Sequence, residues 1–304
     1  MNKKFKSGFV SLVGRPNAGK STLLNALVGQ KVAIVADKPQ TTRTSIQGVV
    51  TLPEAQIVFV DTPGIHKADS QLNKRLMDTV RASLEERDLL LYLVDATRAF
   101  TIEDRRAVDV ALKTGTPVVL VLNKVDLLPD KGKLLPLIER FKALHEFAAY
   151  VPVSATKRIG LAELRKVILS HLPEGPAYFP EDYVTDQPER FLAAELVREK
   201  ALLATRQEVP HSVSVMVDRW EETPSLTRVY ATIRVERPGQ KANIIGKKGA
   251  VLARIGTLAR VEMEKLFGVK IYLDLHVKVQ PGWRDETTFL NTLDWRTMAG
   301  KDDS

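Results

Sequence analysis

The residue types best suited to chemistry lie near the N-terminus, in the stretch Gly14-Arg-Pro-Asn-Ala-Gly-Lys-Ser21. It follows an apolar, strand-like run and opens a helical pattern, and it matches the phosphate-loop pattern G-x-x-x-x-G-K-[ST]. Glycines let backbone N–H groups turn towards phosphate oxygens, and a helix N-terminus adds the positive end of its dipole. The match favours this interpretation over a glycine-rich turn that binds nothing. The predicted phosphate-binding residues are Gly14, Arg15, Pro16, Asn17, Ala18, Gly19, Lys20, Ser21 and Thr22.

Lys20 and Ser21 have the most specific expected roles. The Lys20 ammonium should reach the β- and γ-phosphates, and the Ser21 hydroxyl should bind Mg²⁺. Asp61-Thr62-Pro63-Gly64 follows a second apolar run. We expect Asp61 to hold Mg²⁺ through water and the Gly64 N–H to face the γ-phosphate, although Asp61 is also suited to a helix N-cap.

Guanine selection is predicted from Asn123-Lys-Val-Asp126, which directly follows another apolar run. The Asp126 carboxylate can accept hydrogen bonds from guanine N1–H and N2–H. Adenine lacks both donors and would leave the carboxylate unpaired. Asn123 should tie the loop together and contact the base edge, and Lys124 should lie over the ring. The weaker stretch Ser154, Ala155 and Thr156 would contact the base from the other side. GTP and GDP are therefore the expected ligands.

A threonine-rich segment, Pro39-Gln-Thr-Thr42-Arg43, lies between the phosphate loop and Asp61. We expect Thr42 to contact Mg²⁺ and the γ-phosphate only when triphosphate is bound, which would make the segment an order–disorder switch. A plain surface loop is the alternative. The predicted catalytic residues are Lys20, Thr42 and Gly64.

A second candidate site is Ile244-Ile-Gly-Lys-Lys-Gly249, between a strand and a long helix. Two glycines around two lysines let backbone and cations approach phosphates together, as in the G-x-x-G loop of KH modules that clamp single-stranded RNA. Residues 237–270 hold eight Lys or Arg and two Glu. This focus of charge favours RNA binding over a helix cap with solvated lysines. The predicted RNA-binding residues are Arg237, Lys241, Ile244, Ile245, Gly246, Lys247, Lys248, Gly249, Leu252 and Arg254, with Ile244, Ile245 and Leu252 as groove walls.

The elements that must position these residues differ between the two halves of the chain. In residues 1–175, strand-like runs alternate with helical stretches, which predicts an α/β fold with a mostly parallel sheet and helices on both faces. Residues 176–189, with three prolines, are the predicted linker. Residues 190–304 follow the order helix, strand, strand, helix, strand, which predicts a smaller α+β domain.

Composition narrows the class of protein. A chain of 304 residues with 44% apolar and 27% charged residues is typical of a globular protein of two domains. The net charge of +8 favours a polyanionic partner. There is no cysteine, so disulfides and thiolate metal sites are excluded. No apolar run has the length of a membrane span, and we expect a cytoplasmic protein.

The chain resembles the bacterial Era family of GTPases. Five motifs carry this resemblance: the phosphate loop, the Thr42 segment, Asp61 to Gly64, the Asn123 to Asp126 loop and the G-K-K-G loop. The resemblance covers almost the whole chain. It implies a P-loop GTPase domain followed by a type II KH domain that binds the 3′ end of 16S rRNA, in small ribosomal subunit assembly. Ile65 stands where Ras-type enzymes have a water-orienting Gln. The resemblance therefore implies slow intrinsic turnover, with Asn17 as a K⁺ ligand.

Two other functions stay open at this point. The basic face of a membrane-peripheral signalling GTPase would meet anionic lipid at the inner face of the cell membrane. An RNA-binding protein could instead sense GTP without significant turnover. No DNA partner is expected, and the protein is expected to be a monomer. The last residues, with Trp283, Phe289 and Trp295, are assigned only a packing role.

Overall fold

The computed structural model describes residues 4–38, 40–65, 70–111, 114–205 and 212–293. The chain divides into two compact units. The first contains Met1–Ala33, Thr42–Ala68 and Asn73–Asp186, and the second contains Ile34–Thr41, Asp69–Leu72 and Gln187–Ser304. The proposed domain limits at 175 and 190 stay a prediction. Pro39 and Trp295 lie outside the described residues.

The first unit is built on a six-stranded sheet with the strand order β2-β3-β1-β4-β5-β6. Every neighbouring pair is parallel except β2 and β3, which are antiparallel. The predicted mostly parallel α/β fold is therefore confirmed. The elements up to residue 171 are β1 Lys6–Gly14, α1 Lys20–Val28, β2 Ile46–Leu52, β3 Ala55–Asp61, α2 Gln71–Ala82, β4 Leu89–Asp95, α3 Ile102–Ala111, β5 Val118–Asn123, α4 Leu134–Lys142, β6 Ala149–Pro152 and α5 Leu161–His171.

Helices cover both faces of this sheet, and strand β4 shows why its sequence is apolar throughout. Leu89, Leu91 and Leu93 belong to one hydrophobic core, whereas Leu90 and Tyr92 belong to the other. Successive side chains of a strand point to opposite faces, so a strand buried on both faces alternates between two cores.

Strand β2 and helix α2 were not predicted. Strand β2 lies at the edge of the sheet and has three buried and four half-buried residues, among them Gln47 and Thr51, which breaks the apolar run expected of a central strand. A Cβ on Gly48 would lie 2.8 Å from Val28 Cγ2, so glycine lets β2 pack closely against α1. The sequence pattern of Lys133 to Phe147 also predicts a helix, but the structure ends α4 at Lys142.

The strands present their carboxyl ends at one edge of the sheet, as parallel strands must. This edge carries Gly14 at the end of β1, Asp61 at the end of β3, Asp95 at the end of β4 and Asn123 at the end of β5. Residues far apart in sequence are therefore brought together there.

The second unit contains a three-stranded sheet with the order β7-β8-β9, in which β7 and β8 are antiparallel and β8 and β9 parallel. The predicted small α+β domain is confirmed. Its elements are α6 Glu189–Ala204, β7 Ser214–Thr223, β8 Leu226–Val235, α7 Pro238–Ile245, α8 Ala250–Phe267, β9 Ile271–Val279 and α9 Thr287–Thr292.

Helix α7 was not predicted, because Pro238 and Gly239 are typical of a turn. The structure places Pro238 in the first turn of the helix, where its missing N–H costs no hydrogen bond. The Gln240 side chain accepts hydrogen bonds from the backbone N–H groups of Glu236 and Arg237, at 2.9 and 3.0 Å, and so fixes the start of the helix.

The end of the described chain packs on the second unit. The Trp283 side chain is fully buried, and its Nε1–H donates to the Ser212 carbonyl at 3.1 Å. Phe289 contacts the Trp283 ring edge-on at 5.6 Å. Both residues thus have the packing role that we expected. No helix among the described residues is long and apolar enough to cross a membrane.

Candidate nucleotide site and nucleic-acid interface

The loop between β1 and α1 has the backbone geometry of a phosphate cradle. Gly14, Asn17 and Gly19 have φ angles of 146°, 62° and 94°. A Cβ on Gly14 would lie 2.4 Å from the Leu93 carbonyl oxygen, and one on Gly19 would lie 2.2 Å from Asn123 Nδ2. Both glycines are therefore required by close neighbours as well as by their φ angles. Pro16 and Ala18 complete the loop, and Thr22 lies in the first turn of α1.

The Lys20 side chain lies inside the loop and is only 6% exposed. Its Nζ donates to the carbonyl oxygens of Gly14 and Arg15, at 3.2 and 3.1 Å. Burial lowers the pKa of Lys20 to about 8, although the Asp61 carboxylate raises it in part. A buried ammonium with three N–H donors and two such acceptors is suited to a phosphate oxygen.

Three side-chain oxygens come together beside Lys20. The Ser21 hydroxyl donates to Asp61 Oδ2 at 2.6 Å and lies 2.8 Å from the Thr42 hydroxyl, and Thr42 donates to Asp61 Oδ2 at 3.3 Å. Burial raises the pKa of Asp61 to about 6, against the opposing effects of Lys20, Ser21 and Thr42.

This cluster fits a hard cation. The second carboxylate oxygen of Asp61 is buried without a hydrogen-bond partner among the described residues. Mg²⁺ prefers oxygen ligands and usually takes one or two from the protein and others from phosphates and water. Where the chain is described, no group of three His, Cys, Asp or Glu side chains forms a metal cage. The three predicted Mg²⁺ ligands, Ser21, Thr42 and Asp61, are therefore together.

Gly64 lies against the phosphate loop, because a Cβ there would be 2.8 Å from Cα of Pro16. The next residue, Ile65, donates its backbone N–H to the Gly14 carbonyl at 3.1 Å, and its side chain packs against a hydrophobic core. Thr62 donates its hydroxyl to the Leu12 carbonyl at 2.8 Å, and Pro63 is buried beside it. The expected hydrophobic side chain after Gly64 thus packs inwards.

Asn123 joins the phosphate loop to both predicted base-contacting loops. Its Nδ2 donates to the Ala18 carbonyl at 2.9 Å, and its Oδ1 accepts from the backbone N–H groups of Lys124 and Ala155, at 2.8 and 3.1 Å. The expected tie between loops is present. Its contact with a base edge stays a prediction.

Asp126 is the predicted reader of guanine. Its Oδ1 atom is buried and has no hydrogen-bond partner among the described residues. A buried carboxylate oxygen that lacks a donor is costly, and guanine N1–H or N2–H would supply one. Across the site, the Ser154 hydroxyl accepts from the Lys157 N–H at 3.0 Å and lies 3.5 Å from the Thr156 hydroxyl.

Three residues that we did not predict as site residues contact the cationic side chains of Lys124 and Arg15. Asp95 Oδ2 accepts from Lys124 Nζ at 2.8 Å. Arg15 Nη1 donates to Thr101 Oγ1 at 2.8 Å and to Asp104 Oδ2 at 3.0 Å, so this side chain is held by the start of α3. The sequence held one signal, since Asp95 ends an apolar strand as Asp61 does.

The Gly246-Lys-Lys-Gly249 loop of the second unit connects α7 and α8. Gly246, Lys248 and Gly249 have φ angles of 71°, 52° and 79°. A Cβ on Gly246 would lie 2.4 Å from Val251 Cγ2, so no other residue fits there without displacement. Lys247 and Lys248 are exposed, as phosphate contact requires.

The residues around this loop differ in accessibility. Arg237 and Arg254 are exposed, and Lys241, Ile245 and Leu252 are half-buried. Ile244 is fully buried in the core of the second unit. The prediction that Ile244 lines a groove is therefore wrong: it faces inwards and supports the loop from below.

Comparisons with known proteins match the two parts of the chain to two different family models. The family model described as a 50S ribosome-binding GTPase matches residues 9–124, and the KH domain model matches residues 208–284. GTPase Era of Geobacter metallireducens is 48% identical over 291 residues, covering 95% of this chain and 97% of the relative. GTPase Era of a Nostoc species is also 48% identical, covering 96% of this chain and 90% of the relative.

Two similar solved structures extend the match to three dimensions. One is a crystal structure of Era in complex with MgGDPNP and nucleotides 1506–1542 of 16S ribosomal RNA, with a TM-score of 0.93 at 42% identity. The other is a single-residue variant of Aquifex aeolicus Era bound to GDP·AlF₄⁻, with a TM-score of 0.92 at 42% identity. Each covers 96% of this chain and is itself 99% covered. The chain therefore belongs to the Era family and is a GTP-binding, GTP-hydrolysing enzyme.

Proposed function

We propose that this GTPase binds the 3′ end of 16S rRNA and acts as a GTP-controlled switch in small ribosomal subunit assembly. The observation that carries the proposal is that one chain holds a guanine-nucleotide site and a G-K-K-G loop with the backbone of an RNA clamp. The similar Era structure with MgGDPNP and an rRNA segment supports the same pairing of ligands.

The phosphates are held mainly by the loop 14–19 and Lys20. Backbone N–H groups and the N-terminus of α1 supply fixed partial charges, and the Lys20 ammonium supplies a full charge. Ser21, Thr42 and Asp61 are the residues that would hold Mg²⁺. When bound, Mg²⁺ supplies positive charge beside the phosphate oxygens, where negative charge develops during hydrolysis.

Turnover without a water-orienting glutamine should be slow. Ile65 cannot donate a side-chain hydrogen bond to water, and its side chain packs on the core. Stabilisation of the negative charge that develops on the phosphate oxygens must then contribute more to catalysis. The Asn17 amide oxygen, in a loop residue with φ of 62°, is our candidate ligand for K⁺. Turnover should be faster in potassium than in sodium buffer, and equal rates would exclude this role.

Thr42 and Gly64 are the proposed sensors of the γ-phosphate. The Thr42 hydroxyl lies at the cation cluster, and Gly64 lies against Pro16 of the phosphate loop. Loss of the γ-phosphate would remove its contacts with both residues and so favour release of the segments that follow them.

RNA recognition is assigned to the second unit. The two glycines let the loop backbone approach phosphates, Lys247 and Lys248 add charge, and Ile245 and Leu252 offer half-buried apolar surface for bases. Of the nearby cations, Arg260 is already paired with Glu264 at 3.0 Å, so Arg237, Lys241 and Arg254 are better placed to attract RNA.

A binding titration tests the RNA assignment. A labelled oligonucleotide with the 3′-end sequence of 16S rRNA should bind more tightly than one of scrambled sequence. Gly246→Asp should abolish this binding and leave GDP binding unchanged, because the new side chain collides with Val251 and adds negative charge. Gly115→Asp is the matched control for charge and backbone strain, since Gly115 has nearly the same φ as Gly246, 70° against 71°, but a Cβ there meets nothing within 4 Å. Equal binding of both oligonucleotides would contradict the proposal.

The proposal includes a cytoplasmic monomer without a DNA partner. The alternative is a protein in peripheral contact with the membrane. Sedimentation with anionic liposomes distinguishes this alternative from RNA binding. Co-sedimentation that survives Gly246→Asp, without specific RNA binding, would favour a membrane role.

A further inference from the structure

Residues 95–104, which run from the last residue of β4 into the first turn of α3, hold two cations of the predicted nucleotide site, Lys124 and Arg15. At its start, Asp95 Oδ2 accepts from Lys124 Nζ at 2.8 Å. Asp95 is itself fixed, because its Oδ1 accepts from the Thr97 N–H at 3.0 Å and from the Thr97 hydroxyl at 2.6 Å. Burial alone would raise the pKa of Asp95, but the hydrogen bonds from Lys124 and Thr97 hold it below its usual value.

At the other end, Asp104 Oδ2 accepts from Arg15 Nη1 at 3.0 Å. The same oxygen accepts from the backbone N–H and the hydroxyl of Thr101, both at 2.8 Å. Arg15 in turn offers its carbonyl oxygen to Lys20 Nζ. A continuous chain of contacts thus runs from the start of α3 to the ammonium that reaches the phosphates.

We propose that Asp95 and Asp104 are positioning residues for nucleotide binding, the two ends of one bracket, residues 95–104, that orients Lys124 and Arg15. The inference rests on the nucleotide site described above. Asp95 holds the Lys124 ammonium so that the apolar stem is kept in place for the base. Asp104 holds the Arg15 side chain, and thereby the loop carbonyl that aims Lys20.

Burial distinguishes these pairs from ordinary surface ion pairs. The Asp95 and Asp104 side chains are 9% and 11% exposed, and their partners Lys124 and Arg15 are 26% and 30% exposed. Exposed pairs contribute little because water and salt screen them, whereas partly buried pairs with fixed geometry are screened less. Arg98, a second cation near Asp95, is 58% exposed, its Nε lies 3.4 Å from Asp95 Oδ2, and it is a weaker partner.

Lys124 also has a reason to need external support. Its backbone has φ of 66°, in the left-handed region that non-glycine residues seldom adopt. Asn123 Oδ1 accepts the Lys124 N–H and so fixes the backbone, but it does not constrain the long side chain. Asp95 supplies that constraint, which reduces the side-chain freedom lost when a nucleotide binds.

Double-mutant cycles on the full chain test the bracket, with the dissociation constant of a fluorescent GDP as the readout. Asp95→Asn should weaken GDP binding about tenfold, the effect of one charge-assisted hydrogen bond. Lys124→Met removes the ammonium but keeps an apolar stem. In that background Asp95→Asn should change the dissociation constant less than about twofold, because its partner is already absent.

The second cycle pairs Asp104→Asn with Arg15→Met. The asparagine side chain can still accept from the Thr101 N–H before the start of α3, so the substitution removes mainly the ion pair. Each single variant should weaken GDP binding about three- to tenfold, and the double variant should be no weaker than the worse single one. In steady-state assays KM should rise while kcat is retained, since binding and not chemistry is affected.

Controls separate positioning from loss of folding. Asp109→Asn removes an exposed charge from α3 and should leave binding unchanged. Asp95→Glu restores the charge and should recover part of the affinity. The bracket would be overturned if the effects of the two substitutions in each cycle on GDP binding were additive. It would also be overturned if Asp95→Asn and Asp104→Asn left the GDP affinity unchanged. Failure of the unsubstituted protein to bind GDP would instead overturn the nucleotide site itself.

Discussion

The Lys20 ammonium makes phosphate binding depend on pH within an accessible range. Burial lowers its pKa to about 8, although the Asp61 carboxylate raises it in part. A bound phosphate would raise the pKa again, because a nearby negative charge favours the charged form. Between pH 8 and the pKa of the complex, the free protein therefore loses a proton that the nucleotide-bound protein keeps. Nucleotide affinity must fall as pH rises through that window.

The size of the effect follows from the protonated fraction. With a pKa of about 8, roughly 76% of Lys20 is protonated at pH 7.5 and roughly 9% at pH 9. If only the protonated form binds, the apparent dissociation constant scales with the inverse of that fraction. The constant for GDP should thus increase about eightfold between pH 7.5 and pH 9, and about tenfold per unit beyond.

Equilibrium titration of fluorescent GDP at fixed ionic strength and Mg²⁺ measures this curve. Lys20→Arg is the matched control, because a guanidinium stays protonated throughout. Its affinity will be lower at every pH, but the increase assigned to Lys20 should be absent. Ionisation of guanine itself affects both proteins equally and cancels in their ratio.

The free energy of unfolding should move in the opposite direction. The unfolded chain holds the Lys20 proton up to its usual pKa of 10.5, whereas the folded chain releases it near 8. Between these values the unfolded state binds more protons, so stability of the nucleotide-free protein rises with pH. Parallel pH profiles for the unsubstituted protein and Lys20→Arg, in both affinity and stability, would refute the reasoning.

Three further substitutions and one acid titration give independent checks. Asp126→Asn should shift preference from GTP to xanthosine triphosphate, and an unchanged ratio of the two affinities would contradict base reading by this carboxylate. Gly64→Ala should reduce GTP turnover at least about tenfold while GDP affinity is kept, because the new Cβ would lie 2.8 Å from Pro16; retained single-turnover rates would argue against it. Trp283→Ala should lower the free energy of unfolding by about 3–5 kcal/mol in urea titrations, since the side chain is fully buried. The affinity for GDP in the presence of Mg²⁺ should fall below about pH 6, where Asp61 gains a proton. An affinity that does not change between pH 7 and pH 5 would exclude Asp61 as a ligand.

The sequence predicted the strands that are buried on both faces, but it did not predict edge strand β2 or helix α7. The run Leu89 to Val94 is apolar because both faces of β4 are covered, and continuous burial is visible in the sequence itself. Edge strand β2 is half-exposed and carries Gly48, so its pattern resembles that of a loop. Helix α7 begins with Pro and Gly, and the Gln240 hydrogen bonds that make this a helix start depend on structure beyond the pattern.

The nucleotide site was predictable for a different reason. Its expected phosphate contacts come largely from backbone N–H groups, and these require glycine where φ is positive or a neighbour is close, as at Gly14 and Gly19. Lys20 and Ser21 follow at fixed positions in the same motif. The Ile244 error has the opposite cause. An isoleucine beside a loop can line a groove or fill the core, and only the packing of the second unit shows that it fills the core.

The residues that the sequence did not reveal act on other residues, and not on the ligand. Asp95 and Asp104 have no motif because a carboxylate can hold a cation from many positions, provided that the fold brings them within about 3 Å. The strands β1, β4 and β5 end side by side, and the pairing of Asp95 with Asn123 sets the first residue of the bracket beside the base loop. A one-residue shift in that register would turn Asp95 to the other face of the sheet and leave Lys124 unsupported. On the proposed bracket, the position of Lys124 at the nucleotide site therefore depends on sheet register as well as on its own loop.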